Sequence, residues 1–242
     1  MNKAALIAGA LAMTAGLASA DTIRIGTEGA YPPYNFINDN HELDGFERDL
    51  GDELCRRAEV TCEWVINDWD SIIPNLQSGN YDAIMAGMSI TPAREEVIAF
   101  SHTYLPAEPS AYAALEGTDP SVRDDGLIAV QSNTIQASYV PDTDADVLEF
   151  PTPDESLAAV RNGEADAILA DKGFLQRFVN ESGGQLVFLG DDVHISEGHG
   201  MGMRQSDTDQ REMFNEAINS MIDDGSLNDI IVEWFGDDAT LH

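Results

Sequence analysis

The sequence predicts an α/β protein of two lobes, each a mostly parallel sheet flanked by helices. Two observations predict this. Short apolar runs of strand character alternate with amphipathic helical segments, as expected when strands are joined by helical crossovers. One helix–glycine–strand unit also occurs twice. Asp70…Ile73…Leu76…Gly79…Asp82-Ala83-Ile84-Met85-Ala86 is matched by Asp154…Leu157…Val160…Gly163…Asp166-Ala167-Ile168-Leu169-Ala170 at a constant offset of 84 positions. Shared helix–turn–strand grammar alone can produce such an echo; its physical reading is one similar unit in each lobe. The 242 residues suffice for two lobes of about 100 residues each or for one large domain.

Taken in order, Thr22 to Gly26 alternates as a short strand. Tyr31-Pro32-Pro33-Tyr34 is an extended loop, because prolines exclude both a helix interior and a central strand. Phe46, Leu50, Leu54 and Ala58 recur every four positions and give an amphipathic helix after Gly45. Glu63 to Ile66 reads as a strand, and Ser71 to Ser78 as a short helix capped by Asp70 or Ser71 and closed by Gly79. The apolar run Ala83 to Met88 reads as a buried strand. Beyond it, Leu127 to Val130 and Asp166 to Ala170 are further strands. Helices are expected over 134–140, over 154–162 ending at Gly163, and on the face Phe174, Leu175, Phe178 and Val179. Two more follow, marked by Phe214, Ile218, Met221 and Ile222 and by Leu227 to Phe235. No low-complexity linker separates these units.

Residues 1–20 read as an export signal. Lys3 supplies a positive start, Ala4 to Leu17 an apolar segment too short for a membrane span, and Ala18-Ser19-Ala20 an A-x-A cleavage site. A periplasmic protein beginning at Asp21 is expected, and no cysteine follows the cleavage site to carry a lipid anchor. In that oxidising compartment the two cysteines, Cys55 and Cys62, form a disulfide by default. It staples a helix end to the next strand and closes a short loop, worth about 2–3 kcal/mol. No metal is expected, because two thiolates without a neighbouring histidine cannot complete a tetrahedral site. The net charge of −32 argues against nucleic acid or an anionic membrane as partner. Acidic residues spread along the whole chain fit a solvated surface.

Chemistry concentrates where the first echoed strand ends. Thr91 is a good helix N-cap and Pro92 suits the first helical position, so Arg94 falls in the first turn, where the helix dipole disfavours a cation. Its planar fork suits a carboxylate held bidentately. Glu95 and Glu96 offer an equally good account, an ordinary surface arginine offset by its neighbours. Ligands of open α/β sheets bind beyond the carboxyl ends of strands, which here means Gly87-Met88-Ser89 in one unit and Asp171 in the other. From the residues alone, Asp171 reads as the cap of the helix starting at Lys172.

The chain resembles the family 3 periplasmic solute-binding proteins, the polar amino-acid receptors of ABC importers. The likeness is strongest to the lysine/arginine/ornithine- and histidine-binding branch. It rests on Ile23-Arg24-Ile25-Gly26-Thr27, Tyr31-Pro32-Pro33-Tyr34, Gly45-Phe46-Glu47-Arg48-Asp49-Leu50, Ile73-Pro74, Asp82-Ala83-Ile84-Met85, Ser89-Ile90-Thr91 with Arg94, Val130-Gln131, Gly163 to Asp171 and Gly200-Met201-Gly202-Met203-Arg204. The resemblance implies the type II periplasmic-binding-protein fold, two lobes joined by two hinge crossovers and closing on ligand. With the duplicated unit, it places lobe 1 at residues 21–108 plus 197–242 and lobe 2 at 109–196. It also implies roles: Arg94 for a ligand α-carboxylate, Asp171 for the α-ammonium, and Ser89 and Thr134 as further contacts. By the same resemblance, Gln136 matches a residue that can touch the ligand side chain, Tyr31 and Trp69 match the two positions that enclose it, and Glu28 and Glu47 match acidic positions near its far end. Ala86 and Gly87 stand where that branch has two serines, Asn133 replaces a usual glycine, and Ile135 a usual threonine. The implied partners are a free amino acid, arginine before lysine and ornithine, and an inner-membrane ABC permease. A monomer without cofactor is expected, with glutamine or a broad polar range as the alternative ligand.

Enzymatic signals are few. The sequence has no nucleophile elbow, phosphate loop, zinc-protease motif or dinucleotide glycine pattern. His194 and His199 lie in a glycine-containing stretch that reads as a turn. The remaining enzymatic reading is a periplasmic dehydratase of prephenate or arogenate type on the same fold, with Glu28 or Glu47 as general acid.

Overall fold

The computed structural model describes residues 22–242; the export signal read at 1–20 lies outside them. Thirteen strands and nine α-helices follow one another among the described residues. The strands are β1 (Thr22–Thr27), β2 (Ala30–Tyr31), β3 (Asn35–Ile37), β4 (Leu43–Asp44), β5 (Thr61–Ile66), β6 (Ala83–Ile84), β7 (Ala99–Leu105), β8 (Ser110–Leu115), β9 (Leu127–Gln131), β10 (Asp146–Phe150), β11 (Ala167–Asp171), β12 (Leu186–Phe188) and β13 (His199–Met203). The helices are α1 (Phe46–Arg57), α2 (Ile72–Gln77), α3 (Pro92–Glu95), α4 (Val122–Asp125), α5 (Ile135–Tyr139), α6 (Pro153–Asn162), α7 (Lys172–Glu181), α8 (Thr208–Asp224) and α9 (Ser226–Phe235).

Two five-stranded sheets carry the fold, in the orders β5-β1-β6-β13-β7 and β10-β9-β11-β8-β12. β6 and β11, the two strands of the sequence echo, each occupy the centre of a sheet. Their registers correspond as well: Ala83 pairs with Ile25, and Ala167 with Ile128. In each sheet the two pairings on one side of this central strand are parallel and the two on the other antiparallel. The sheets are therefore mixed, not mostly parallel. The antiparallel half is built by β7, β8, β12 and β13, none of them among the expected strands; β8 is rich in alanine and β13 in glycine, residues of weak strand propensity.

β6 is shorter than the apolar run suggests. Only Ala83 and Ile84 join the ladder, because Gly87 takes a left-handed φ of 57° and turns the chain out of the sheet. The run stays buried all the same. Ala83 and Met85 pack into one core cluster and Ile84 into another, the two faces that successive strand residues present. The first cluster holds Leu50 and Leu54 of α1 with Phe214, Ile218, Leu227 and Ile231 of α8 and α9. The second holds Trp69, Ile72, Leu76 and Tyr81. A fully buried side chain of this size contributes roughly 1.5–3 kcal/mol, so one such residue matches the disulfide in weight. That disulfide is present: Cys55, near the end of α1, is bonded to Cys62 in β5 across a Cα–Cα distance of 6.1 Å.

Caps place the helices that matter to the cleft. Thr91 accepts a hydrogen bond from the Arg94 amide, and Thr134 and Thr152 cap α5 and α6 in the same way. Gly163 ends α6 in the left-handed conformation, for which glycine carries no Cβ penalty. Among the described residues no helix is long and apolar enough to cross a membrane.

Candidate functional site

The carboxyl end of β6 and the carboxyl end of β11 face one another across a cavity. Nine of the ten residues singled out in the sequence line it: Glu28, Tyr31, Trp69, Gly87, Ser89, Arg94, Thr134, Gln136 and Asp171. The exception is Glu47.

Arg94 reaches the cavity because the Thr91 cap fixes the first turn of α3. Its Nη1 donates to the Ser89 carbonyl at 2.7 Å and its Nη2 to the Asn133 carbonyl at 3.1 Å. The guanidinium also lies over the Trp69 ring, 5.3 Å from its centroid. Neither Glu95 nor Glu96 forms an ion pair with it, and among the described residues no carboxylate lies within salt-bridge distance. Burial pulls its pKa down to about 10, against the opposing charge of Asp171. A desolvated cation held by carbonyls and lacking an anion is poised for one from outside.

Asp171 is the complement. It starts α7, yet its carboxylate makes no capping bond and turns into the cavity instead. It accepts from the Tyr31 hydroxyl at 3.0 Å and from Gln136 Nε2 at 2.8 Å. Burial pushes its pKa up to about 6, with both hydrogen bonds and the charge of Arg94 opposing the rise. Among the described residues no basic side chain pairs with it. Gln136 is steadied in turn by Ser110 Oγ at 2.9 Å.

Glu28 lines the same cavity and accepts from Gln131 Nε2 at 2.7 Å. Burial lifts its pKa to about 7. Gln131 is a site residue that the sequence reading did not single out. The signal was available, since it is the one polar residue closing the buried strand Leu127–Gln131 at its carboxyl end.

Glu47 corrects an expectation. It is wholly buried in the first turn of α1 and does not border the cavity. Its carboxylate is spent on Asn35 Nδ2 at 2.7 Å, the Gly87 amide at 2.8 Å and the Tyr104 hydroxyl. It therefore braces the left-handed turn at Gly87 from behind. Burial raises its pKa, opposed by those three donors. The Thr134 hydroxyl is likewise occupied, accepting from the Ala137 amide and donating to the Gln131 carbonyl. Of the two expected aromatic walls, Tyr31 stacks on Phe174 at 4.4 Å and 8°, and Trp69 donates its Nε1 hydrogen to the Ser132 carbonyl at 3.0 Å.

A guanidinium without an anion and a carboxylate without a cation, lining one cavity from two sheets, fit a small zwitterion. Comparisons with known proteins agree with this geometry. The model of the bacterial extracellular solute-binding proteins, family 3, matches residues 23–237. The lysine/arginine/ornithine-binding periplasmic protein of Escherichia coli (strain K12) is 30% identical, over 93% of this chain and 95% of its own. A periplasmic His/Glu/Gln/Arg/opine family-binding protein from Silicibacter pomeroyi, solved in complex with lysine, is 59% identical with a TM-score of 0.87, covering 91% of this chain and 100% of its own. An ancestral arginine-binding protein bound to glutamine is 28% identical with a TM-score of 0.83, covering 89% and 98%. With the family model spanning nearly all of the described chain and the two-sheet cleft in place, the chain belongs to the family 3 bacterial extracellular solute-binding proteins.

Proposed function

We propose that this protein is the periplasmic receptor of an ABC importer for a cationic amino acid, with arginine first and lysine or ornithine next. The observation that carries the reading is the Arg94–Asp171 arrangement: two oppositely charged groups on one cavity, Asp171 buried and Arg94 half-buried, neither ion-paired among the described residues. Arg94 receives the ligand α-carboxylate and Asp171 its α-ammonium. Glu28 meets the distal cation, beside the ring faces of Tyr31 and Trp69, where a guanidinium gains cation–π attraction. Lobe 1, residues 21–108 and 197–242, closes on lobe 2, residues 109–196. The partition of strands between the two sheets supports these limits. The protein acts as a monomer, without cofactor or catalysis, and delivers its ligand to an inner-membrane permease. The lysine complex of the Silicibacter pomeroyi protein, at 59% identity, supports the ligand class.

One observation favours glutamine as a second reading. With Glu47 withdrawn, a single carboxylate remains at the distal end, and Gln131 already bonds it. The test is competition among arginine, glutamine and glutamate for the purified protein, read by calorimetry. Arginine in first place supports the proposal; glutamine in first place establishes the second reading. Glutamate in first place removes Glu28 from the pocket.

A further inference from the structure

Outside the cavity, the two lobes are joined by a small group of side chains that no ligand contact requires. Asp70 lies in the turn just before α2, on the first sheet's side. Ser132 and Asn133 form the turn between β9 and α5, on the second sheet's side. Ser132 Oγ and Asn133 Nδ2 both donate to Asp70 Oδ1, each at 2.8 Å. Next to them Trp69 Nε1 donates to the Ser132 carbonyl at 3.0 Å. Neither Asp70, Ser132 nor Asn133 borders the ligand cavity, and none of the ion pairs among the described residues involves Asp70.

Asn133 adds a backbone argument. It holds a φ of 58°, the left-handed region that glycine occupies most cheaply. A side chain is kept there at some conformational cost, and its amide is one of the two groups that reach Asp70. Two donors on one carboxylate make charge-assisted bonds, stronger than bonds between neutral groups.

We propose that Asp70, Ser132 and Asn133 form a latch that holds the lobes together independently of ligand and shifts the ligand-free protein toward its closed form. The inference rests on the reading of the cleft as one that closes by a hinge. A latch of this kind raises the fraction of molecules already in the binding-competent form, and so raises apparent affinity without touching the ligand. It also slows release, because opening must break it.

The experiment measures the lobes without any amino acid present. Spin labels at the exposed positions Ala93→Cys and Ser138→Cys, on opposite sides of the outer cleft, report the interlobe distance by pulsed electron resonance. In unliganded Asp70→Ala the distribution is expected to move to longer distances than in the parent. L-arginine should then bind roughly tenfold more weakly, mainly through faster dissociation. Asn133→Gly, which suits the same backbone, should give a smaller change in the same direction. The double variant should be no worse than Asp70→Ala alone, since its second bond is already lost. An unchanged distance distribution in unliganded Asp70→Ala overturns the latch, as does full additivity of the two substitutions. A parent protein that binds no amino acid ends the receptor reading, while the distances still decide the latch.

Discussion

The ends of β6 and β11 begin from the same sequence grammar and finish as opposite devices. After β6 the chain leaves the sheet at once, turns at Gly87 and wanders seven residues before α3 delivers Arg94. After β11 it enters α7 directly, and the first residue past the buried alanine, Asp171, is itself the charged group. The first end needs support from behind, and Glu47 supplies it through the Gly87 amide. The second needs little, because strand and helix fix the backbone and two side-chain donors orient the carboxylate. The charges also bear burial differently. Arg94 remains ionised at neutral pH even with its pKa drawn down to about 10, whereas Asp171, raised to about 6, stands close to its proton.

The contrast breaks first at Arg94. Replacement by alanine should cost arginine binding about 3–5 kcal/mol, because the ligand carboxylate would then be desolvated without a partner. Isothermal calorimetry measures this directly, and an unchanged affinity would remove Arg94 from the site. Glu47 tests the brace. Glu47→Ala leaves Asn35 Nδ2, the Gly87 amide and the Tyr104 hydroxyl unpaired in the interior. A stability loss of about 3 kcal/mol is expected in urea unfolding, with affinity falling because Gly87 is no longer held. If Glu47→Ala lowered affinity and left stability intact, Glu47 would belong to the ligand after all.

At the other end, Asp171→Asn keeps the shape and the possibility of bonds to Tyr31 and Gln136 but loses the charge. Arginine binding should weaken by about 2 kcal/mol, less than for Arg94→Ala. Equal losses would show that the two ends are anchored alike. Glu28→Gln sharpens the comparison further, since it acts on selectivity. The preference for arginine over glutamine should shrink about tenfold, with glutamine affinity nearly unchanged.

How much of this was legible in the sequence follows the same divide. Arg94 was readable because Thr91 and Pro92 announce a helix start, and the disulfide because two cysteines share an oxidising compartment. Asp171 was visible only through resemblance, since an aspartate before a helix ordinarily caps it. The misplacement of Glu47 has a physical cause. The resemblance puts an acidic residue of α1 at the ligand's far end, and only the tertiary approach of Asn35, Gly87 and Tyr104 shows where this carboxylate is bonded. β13 was missed because His199-Gly200-Met201-Gly202-Met203 reads as a turn. Its glycines instead admit Ile90 and Ile98 against the strand, at distances a Cβ would find tight.

The smallest expected effect is the pH dependence, and its two parts have opposite signs. Burial raises the carboxyl pKa of Asp171 to about 6 and of Glu28 to about 7. Each therefore binds its proton at higher pH in the folded protein than in the unfolded chain. Acidification from about pH 7 toward the ordinary carboxylate range relieves their burial, and the ligand-free protein gains stability over that window. Glu53 and Asp224, held down to about 2 by arginine and serine partners, give up their contribution only at lower pH. Binding runs the other way, because a ligand ammonium needs Asp171 ionised. Affinity for glutamine, which does not call on the charge of Glu28, should fall about fourfold between pH 7 and pH 5.5, as the ionised fraction of a group titrating near 6 falls. Surface carboxylates also relax on acidification, so melting temperature alone does not isolate the site. Asp171→Asn does: its ligand-free stability should rise less on acidification than that of the parent, and its weaker binding should lose most of the pH slope. A slope unchanged in Asp171→Asn would assign the titration to Glu28 and detach the ammonium from the end of β11.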